Sequence, residues 1–311
     1  MVQQQNTRRA IAAKLGAVAF FMLMATLVKI VSATIPPGQI VFFRSFCALP
    51  VIVVWLALRR ELATGLKTRN PTGHLWRGII GTLGMSMGFA ALGLLPLSEV
   101  KAIQYAQPVL VVIFASMFLG ETVRIFRLTA VGLGMTGVLI IMWPRLTAFT
   151  DLGVDPYLAL GAILAFGSAL MAALAHVFVR KLTQTEPTPA IVFYFGVTAS
   201  SLALLTIPFG WVMPTGTEFF LLVSAGLVGG VGQILLTSSY RYADASVVAP
   251  FEYASILLAI GIGYFVFAEV PTLVMLLGIA LIVIAGLIII LRERRLGLER
   301  ASGRKVVTPQ G

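Results

Sequence analysis

Residues Leu95–Glu121, LPLSEVKAIQYAQPVLVVIFASMFLGE, and Ala243–Glu269, ADASVVAPFEYASILLAIGIGYFVFAE, are two copies of one stretch. They align without a gap at an offset of 148 residues: Ser98 falls on Ser246, Val100 on Val248, Tyr105 on Tyr253, Ala106 on Ala254 and Glu121 on Glu269. Upstream, Gly78, Gly81 and Gly84 meet Gly226, Gly229 and Gly232; downstream, Leu139–Ile141 meets Leu287–Ile289. From Gly78 to Ile141, 14 of 64 positions are identical, where composition alone gives roughly one in ten. Leucine matches carry little weight in such a chain. Glycines, serines, tyrosines and glutamates in register do, and they mark an internal duplication.

Composition names the solvent. The chain has 311 residues, 59% of them hydrophobic and 11% charged, with a mean hydropathy of +0.97. A soluble domain carries about 25% charged residues, so this surface faces a bilayer. The net charge of +11 does not point to nucleic acid, because the basic residues sit in short loops and in the tail, with no basic face or aromatic platform among them. That distribution is the positive-inside pattern. The single cysteine, Cys47, lies in an apolar run, which excludes a disulfide framework and a cysteine-based metal site. Neither a cofactor nor a metal is expected.

Runs of about 17–25 apolar residues qualify as membrane spans, and ten are present: roughly 11–33, 39–58, 75–94, 98–119, 127–143, 157–180, 189–208, 217–240, 246–268 and 271–291. Arg8, Arg9 and Lys14 before the apolar core of the first run, with Ser32 and Ala33 after it, give it a signal-peptide look, but that core is long, contains Lys29 and is followed by nine more runs. It reads as an uncleaved span. With the N-terminus in the cytoplasm, nineteen Lys and Arg fall inside and only Lys101 and Arg145 outside, with Lys29 and Arg44 within spans. The expected topology is N-in/C-in. Each repeat then holds five spans, an odd number, so the second lies inverted relative to the first. The expected fold is all-α and integral to the membrane: residues 1–145 form the first repeat, 146–291 the second, and 292–311 a basic cytoplasmic tail. Inverted repeats are a transporter architecture, with substrate bound near mid-membrane between the halves.

The pattern ALGLLPLSEVKAIQYAQPVLVVIFASMFLGE with VGLGMTGVLIIM resembles the EamA-type domain of the drug/metabolite transporter superfamily, as does RYADASVVAPFEYASILLAIGIGYFVFAEVP with GIALIVIAGLIII. FFRSFCALP in span two fits as well. The resemblance covers nearly the whole chain as two EamA-type halves. It implies a carrier or exporter of small metabolites in a bacterial inner membrane, amino-acid exporters, aromatic ones included, being the best-known kind. The PFEY stretch also resembles carriers of S-adenosylmethionine or riboflavin.

Ionisable groups inside a span are costly and are functional candidates by default. Glu252, beside Tyr253 and about two turns into span nine, is the foremost; its repeat-mate is Gln104, beside Tyr105. These two polar–tyrosine pairs are expected to face each other, with Glu252 binding a substrate ammonium, carrying a proton, or merely bonding a neighbouring helix. Lys29 either holds a substrate carboxylate or snorkels to the interface. Arg44 and Lys101 are interface anchors or line an outer vestibule. Gln107 shares a polar stripe with Gln104, and Pro108 frees a backbone carbonyl, the mark of a kinked helix lining a cavity. Gln233 and Thr237 share a face of span eight with Tyr240, and Ser86 is a further cavity candidate on span three. His176 is a proton relay or a satisfied structural histidine, and has no second ligand for a metal.

No phosphate-binding loop, paired carboxylates, Ser–His–Asp set or HExxH motif occurs, which leaves an enzyme without catalytic groups and ATP coupling without a site. The reading is therefore a secondary transporter of small metabolites, amino acids including aromatic and bulky apolar ones. It would work by alternating access around a central cavity lined by spans one, three, four, six, eight and nine. Proton coupling and facilitated diffusion both remain open. So do a larger cofactor-like solute (S-adenosylmethionine, riboflavin or a nucleotide) and a non-transporting scaffold.

Overall fold

The computed structural model describes residues 7–119, 125–146, 156–242, 251–252, 254–285 and 287–288. Among them every regular element is helical and no strand occurs. In chain order these are α1 (Thr7–Val31), α2 (Pro37–Phe46), α3 (Ala48–Leu58), α4 (Leu62–Gly65), α5 (Pro71–Leu94), α6 (Leu97–Gln104), α7 (Ala106–Leu119), α8 (Ile125–Leu146), α9 (Pro156–Leu182), α10 (Thr188–Leu204), α11 (Gly216–Tyr242), α12 (Ala254–Phe267) and α13 (Leu273–Ala285).

Five stretches are long and apolar enough to cross a membrane: Arg8–Val31, Pro37–Leu58, Pro71–Leu94, Pro156–Leu182 and Gly216–Tyr242. The others are shorter apolar helices, among them Thr188–Leu204 and Ala254–Phe267. Their outer surfaces invert the rule for soluble proteins: Phe220, Leu257, Phe265 and Leu273 are among many large apolar side chains left exposed. A continuous surface of this kind is stable only against lipid.

Local chemistry sets the helix ends and breaks. Asn70 caps α5, its Oδ1 accepting from the Gly73 N–H at 2.9 Å, and Pro71 occupies the first turn, where a missing N–H costs nothing. Pro50 has no N–H for the Phe46 carbonyl, and the chain is interrupted there, at Cys47, between α2 and α3. Pro108 has the same effect on the Gln104 carbonyl. The apolar run 98–119, expected as one span, is accordingly two helices, α6 and α7, hinged at Tyr105. In the second copy α12 begins at Ala254, the partner of Ala106 where α7 begins.

Packing has a matching symmetry. α1 packs most extensively against α11, and α5 against α9. In α9 the fully buried Ala162, Ala165, Ala169 and Ala173 form a stripe at helical spacing. A Cβ at Gly84 of α5 would sit 2.9 Å from Met171 of α9, so the two backbones meet through small residues.

Candidate functional site

The interrupted helices enclose a cavity of about 230 Å³. The expected walls are present: α1, α5, α6 with α7, α9, α11 and the Phe251–Glu252 turn leading into α12. α2 and α10 add Arg44 and Phe195.

The α6–α7 break meets the turn into α12. Tyr105, only 3% exposed, hydrogen-bonds the Ser255 hydroxyl and donates to the Glu252 carbonyl oxygen at 3.4 Å. Ser255 in turn donates to that same carbonyl at 2.7 Å. A tyrosine at the break of the first copy therefore bonds a backbone carbonyl in the turn that leads into α12. Tyr253, Glu121 and the stretch 243–250 lie outside the described residues.

Glu252 lines the cavity, and its carboxylate forms an ion pair with Lys14 of α1. Lys14 is 1% exposed. From sequence it counts as a cytoplasmic flanking charge, but α1 begins at Thr7, which places Lys14 two turns inside the helix. Lys14 also stands 5.7 Å from the centroid of the Tyr240 ring. His176 is satisfied nearby: its Nδ1 lies 2.8 Å from Gln107 Nε2 and its ring packs edge-on against Tyr240.

Arg77 corrects the sequence reading in the same way. Counted there among inner-loop charges, it is 5% exposed and lines the cavity from α5. Its guanidinium carbon lies 3.9 Å from the centroid of Phe195, and that of Arg44 lies 5.4 Å from the same centroid. Arg44, 4% exposed, donates to Gln233 Oε1 at 3.4 Å. It is a buried wall residue here rather than an exposed interface anchor. Arg44 Nε and Arg77 Nε and Nη1 are buried without a hydrogen-bond partner among the described residues.

On the opposite wall Lys101 donates to Gln104 Oε1 at 3.1 Å, and Gln104 Nε2 donates to the Ser168 hydroxyl at 3.0 Å. Gln104, Gln107, Lys101 and Pro108 all line the cavity. Three other candidates are outside it. Thr237 is fully buried and donates to the Gln233 carbonyl within its own helix. Ser86 is half-buried on α5, away from the lining. Lys29 donates to the Leu92 and Leu95 carbonyls at 2.8 and 2.6 Å, closing the C-terminal end of α5. That use is helix capping, and it leaves neither snorkelling nor a substrate carboxylate as its contact here.

Two acids outside the cavity hold its ends. Glu269 accepts from the Leu97 N–H at 3.0 Å and from the Ser98 N–H at 3.4 Å, capping α6 from across the duplication. Glu186, between α9 and α10, is buried, accepts from the Arg69 N–H at 3.0 Å and lies 3.5 Å from His74 Nε2. Burial alone would raise its carboxyl, but the Arg69 N–H, the Thr68 hydroxyl and His74 outweigh that and hold it below the usual carboxylate range. Among the described residues no cluster of His, Cys, Asp and Glu could hold a metal ion.

The family model described as the EamA-like transporter family matches residues 8–143 and again 159–292. A pseudopaline exporter of Pseudomonas aeruginosa is 33% identical over 85% of this chain and 90% of its own length. A riboflavin transporter of Rhizobium johnstonii is 31% identical over 76% of each chain. An S-adenosylmethionine uptake transporter of Rickettsia felis is 25% identical over 83% of this chain and 84% of its own. A solved structure superposes with a TM-score of 0.65 at 23% identity, covering 92% of this chain and 98% of that one, which shows the fold alone. These relatives are bacterial transporters rather than enzymes.

Proposed function

We propose, from the premise that the chain belongs to the EamA-like transporter family, that it is a secondary transporter exporting amino-acid-like metabolites by alternating access around the central cavity. The observation that carries this reading is a charged cavity lined by α6 and α7, which part at Tyr105, and by the Phe251–Glu252 turn into α12, which starts at the matching register. Interrupted helices at the midplane are where carriers bind solute. The extensive α1–α11 and α5–α9 contacts, which exchange under the 148-residue offset, support two inverted repeats that rock about this site. The positive-inside count supports N-in/C-in orientation.

Volume bears on the size of the solute. Drug-sized ligands occupy pockets of roughly 300–1,000 Å³, and a cavity of about 230 Å³ suits an amino acid better than riboflavin or S-adenosylmethionine. The names of the relatives favour the cofactor-sized reading, so the test includes both. Purified protein in proteoliposomes is assayed for saturable flux of labelled amino acids (acidic, aromatic and bulky apolar), riboflavin and S-adenosylmethionine, with and without a pH gradient. Amino-acid flux lost in Glu252→Gln supports the proposal, and its gradient dependence assigns coupling. Flux of the larger solutes alone overturns the amino-acid reading, and absence of all flux favours a scaffold.

A further inference from the structure

The wall of the cavity carries a charge that its residues leave unbalanced. Lys14, Arg44, Arg77 and Lys101 face it as cations, against the one carboxylate of Glu252 among the described lining residues, a formal excess of three positive charges. Glu252 is committed to Lys14. Lys101 bonds the neutral Gln104, and Arg44 the neutral Gln233. Arg77 has only the Phe195 face, whose quadrupole attracts a guanidinium without neutralising it.

We infer that the solute is a small organic anion bearing at least two carboxylates, of the size of an acidic amino acid, and that Arg44 and Arg77, both beside Phe195, bind one of them. This rests on the transporter reading above. Two like charges this deep are expensive to bury, and nothing structural is gained from leaving their nitrogens unbonded. A guanidinium offers a planar fork that fits a carboxylate through paired N–H donors. The unpartnered Nε and Nη1 of Arg77 and Nε of Arg44 are donors of that kind. Lys101, also in the cavity lining, is the cation left for a second carboxylate.

The duplicated glycines make room for the arrangement. A Cβ at Gly81 would overlap Arg77 Nη1, and a Cβ at its repeat-mate Gly229 would lie 3.3 Å from Arg44 Nε. Glycines at one register of the two halves thus border the two guanidiniums, both of which come from the first half.

The test is flux into proteoliposomes of wild type, Arg77→Gln and Arg77→Lys, with a panel of glutamate, aspartate, succinate, leucine, lysine and glycerol phosphate, and Tm measured for each variant. The expected result is dicarboxylate flux at least about tenfold above leucine and lysine, abolished in Arg77→Gln and partly kept in Arg77→Lys, with no fall in Tm. Preference for leucine or lysine, unmoved by Arg77→Gln, overturns the charge assignment and leaves the transporter reading standing. Flux of the phosphate ester alone overturns the carboxylate assignment. A fall in Tm with unchanged selectivity makes Arg77 structural and likewise overturns it. No flux of any solute defeats the transporter reading itself.

Discussion

The two charged corners of the cavity are built in opposite ways. On one, Lys14 and Glu252 come from opposite ends of the chain, 238 residues apart, and neutralise each other. On the other, Arg44 and Arg77 share the face of Phe195, and no carboxylate of the described lining answers them. A paired corner contributes to holding α1 against the break before α12. An unpaired corner costs stability, and that cost is returned only when an anion arrives. On the proposed reading the first serves structure and the second the solute.

Substitutions at the two corners should therefore behave with opposite sign. The largest effect is expected at the unpaired corner: Arg77→Gln should reduce solute flux about 100-fold, the worth of a lost charge-assisted bidentate contact, while Tm holds or rises. At the paired corner, Glu252→Gln leaves Lys14 buried without its partner and should cost up to about 3–5 kcal/mol, less to the extent that the Glu252 side chain, 32% exposed, is already solvated. Adding Lys14→Met should restore most of the stability and none of any proton-coupled flux. A denaturation series on the two singles and the double reads the coupling directly; independent, additive effects would show that the corner is not a pair.

Smaller effects sharpen the same contrast. Gly81→Ala should push the Arg77 guanidinium aside, lowering flux about tenfold with little change in Tm, since a single misplaced donor is what is lost. Glu269→Gln weakens the α6 cap and should cost about 1 kcal/mol, measurable as a lower Tm with solute selectivity unchanged. The smallest is a pH effect at Glu186. Its folded carboxyl titrates below the ordinary value of 4.5, so its contribution is fully present above that pH and is lost as pH falls through the depressed folded value. Glu186→Gln should flatten the acid limb of Tm against pH and leave it unchanged at pH 7 and above apart from a constant offset.

Much of this was legible in the residues, for identifiable reasons. Pro108 removes the N–H owed to Gln104, so a kink in span four could be read from the sequence, while the full break into α6 and α7 could not. The meeting of Tyr105 with Glu252 followed from the same register. Lys14 and Arg77 were missed because a lysine or arginine near the edge of an apolar run looks like a flanking charge. α1 and α5, at 25 and 24 residues, begin earlier than the runs do and carry both cations inside. Helices a turn or more longer than the roughly 20 residues a bilayer requires were the available signal. Lys29 shows the converse: a charge inside a span whose partners are backbone carbonyls of another helix, which no side-chain pattern announces.

Alternating access around this cavity is tested most directly by the reactivity of one wall position from both sides of the membrane. Ser168, buried at 5% exposure beside Gln104 and fully within the wall, is replaced by cysteine in a Cys47→Ser background. Membrane-impermeant thiol reagents are then applied to either face of sealed proteoliposomes. Labelling from both faces, slowed by a transported solute, is the predicted result. Labelling from one face alone, or labelling indifferent to every solute that crosses, would contradict it.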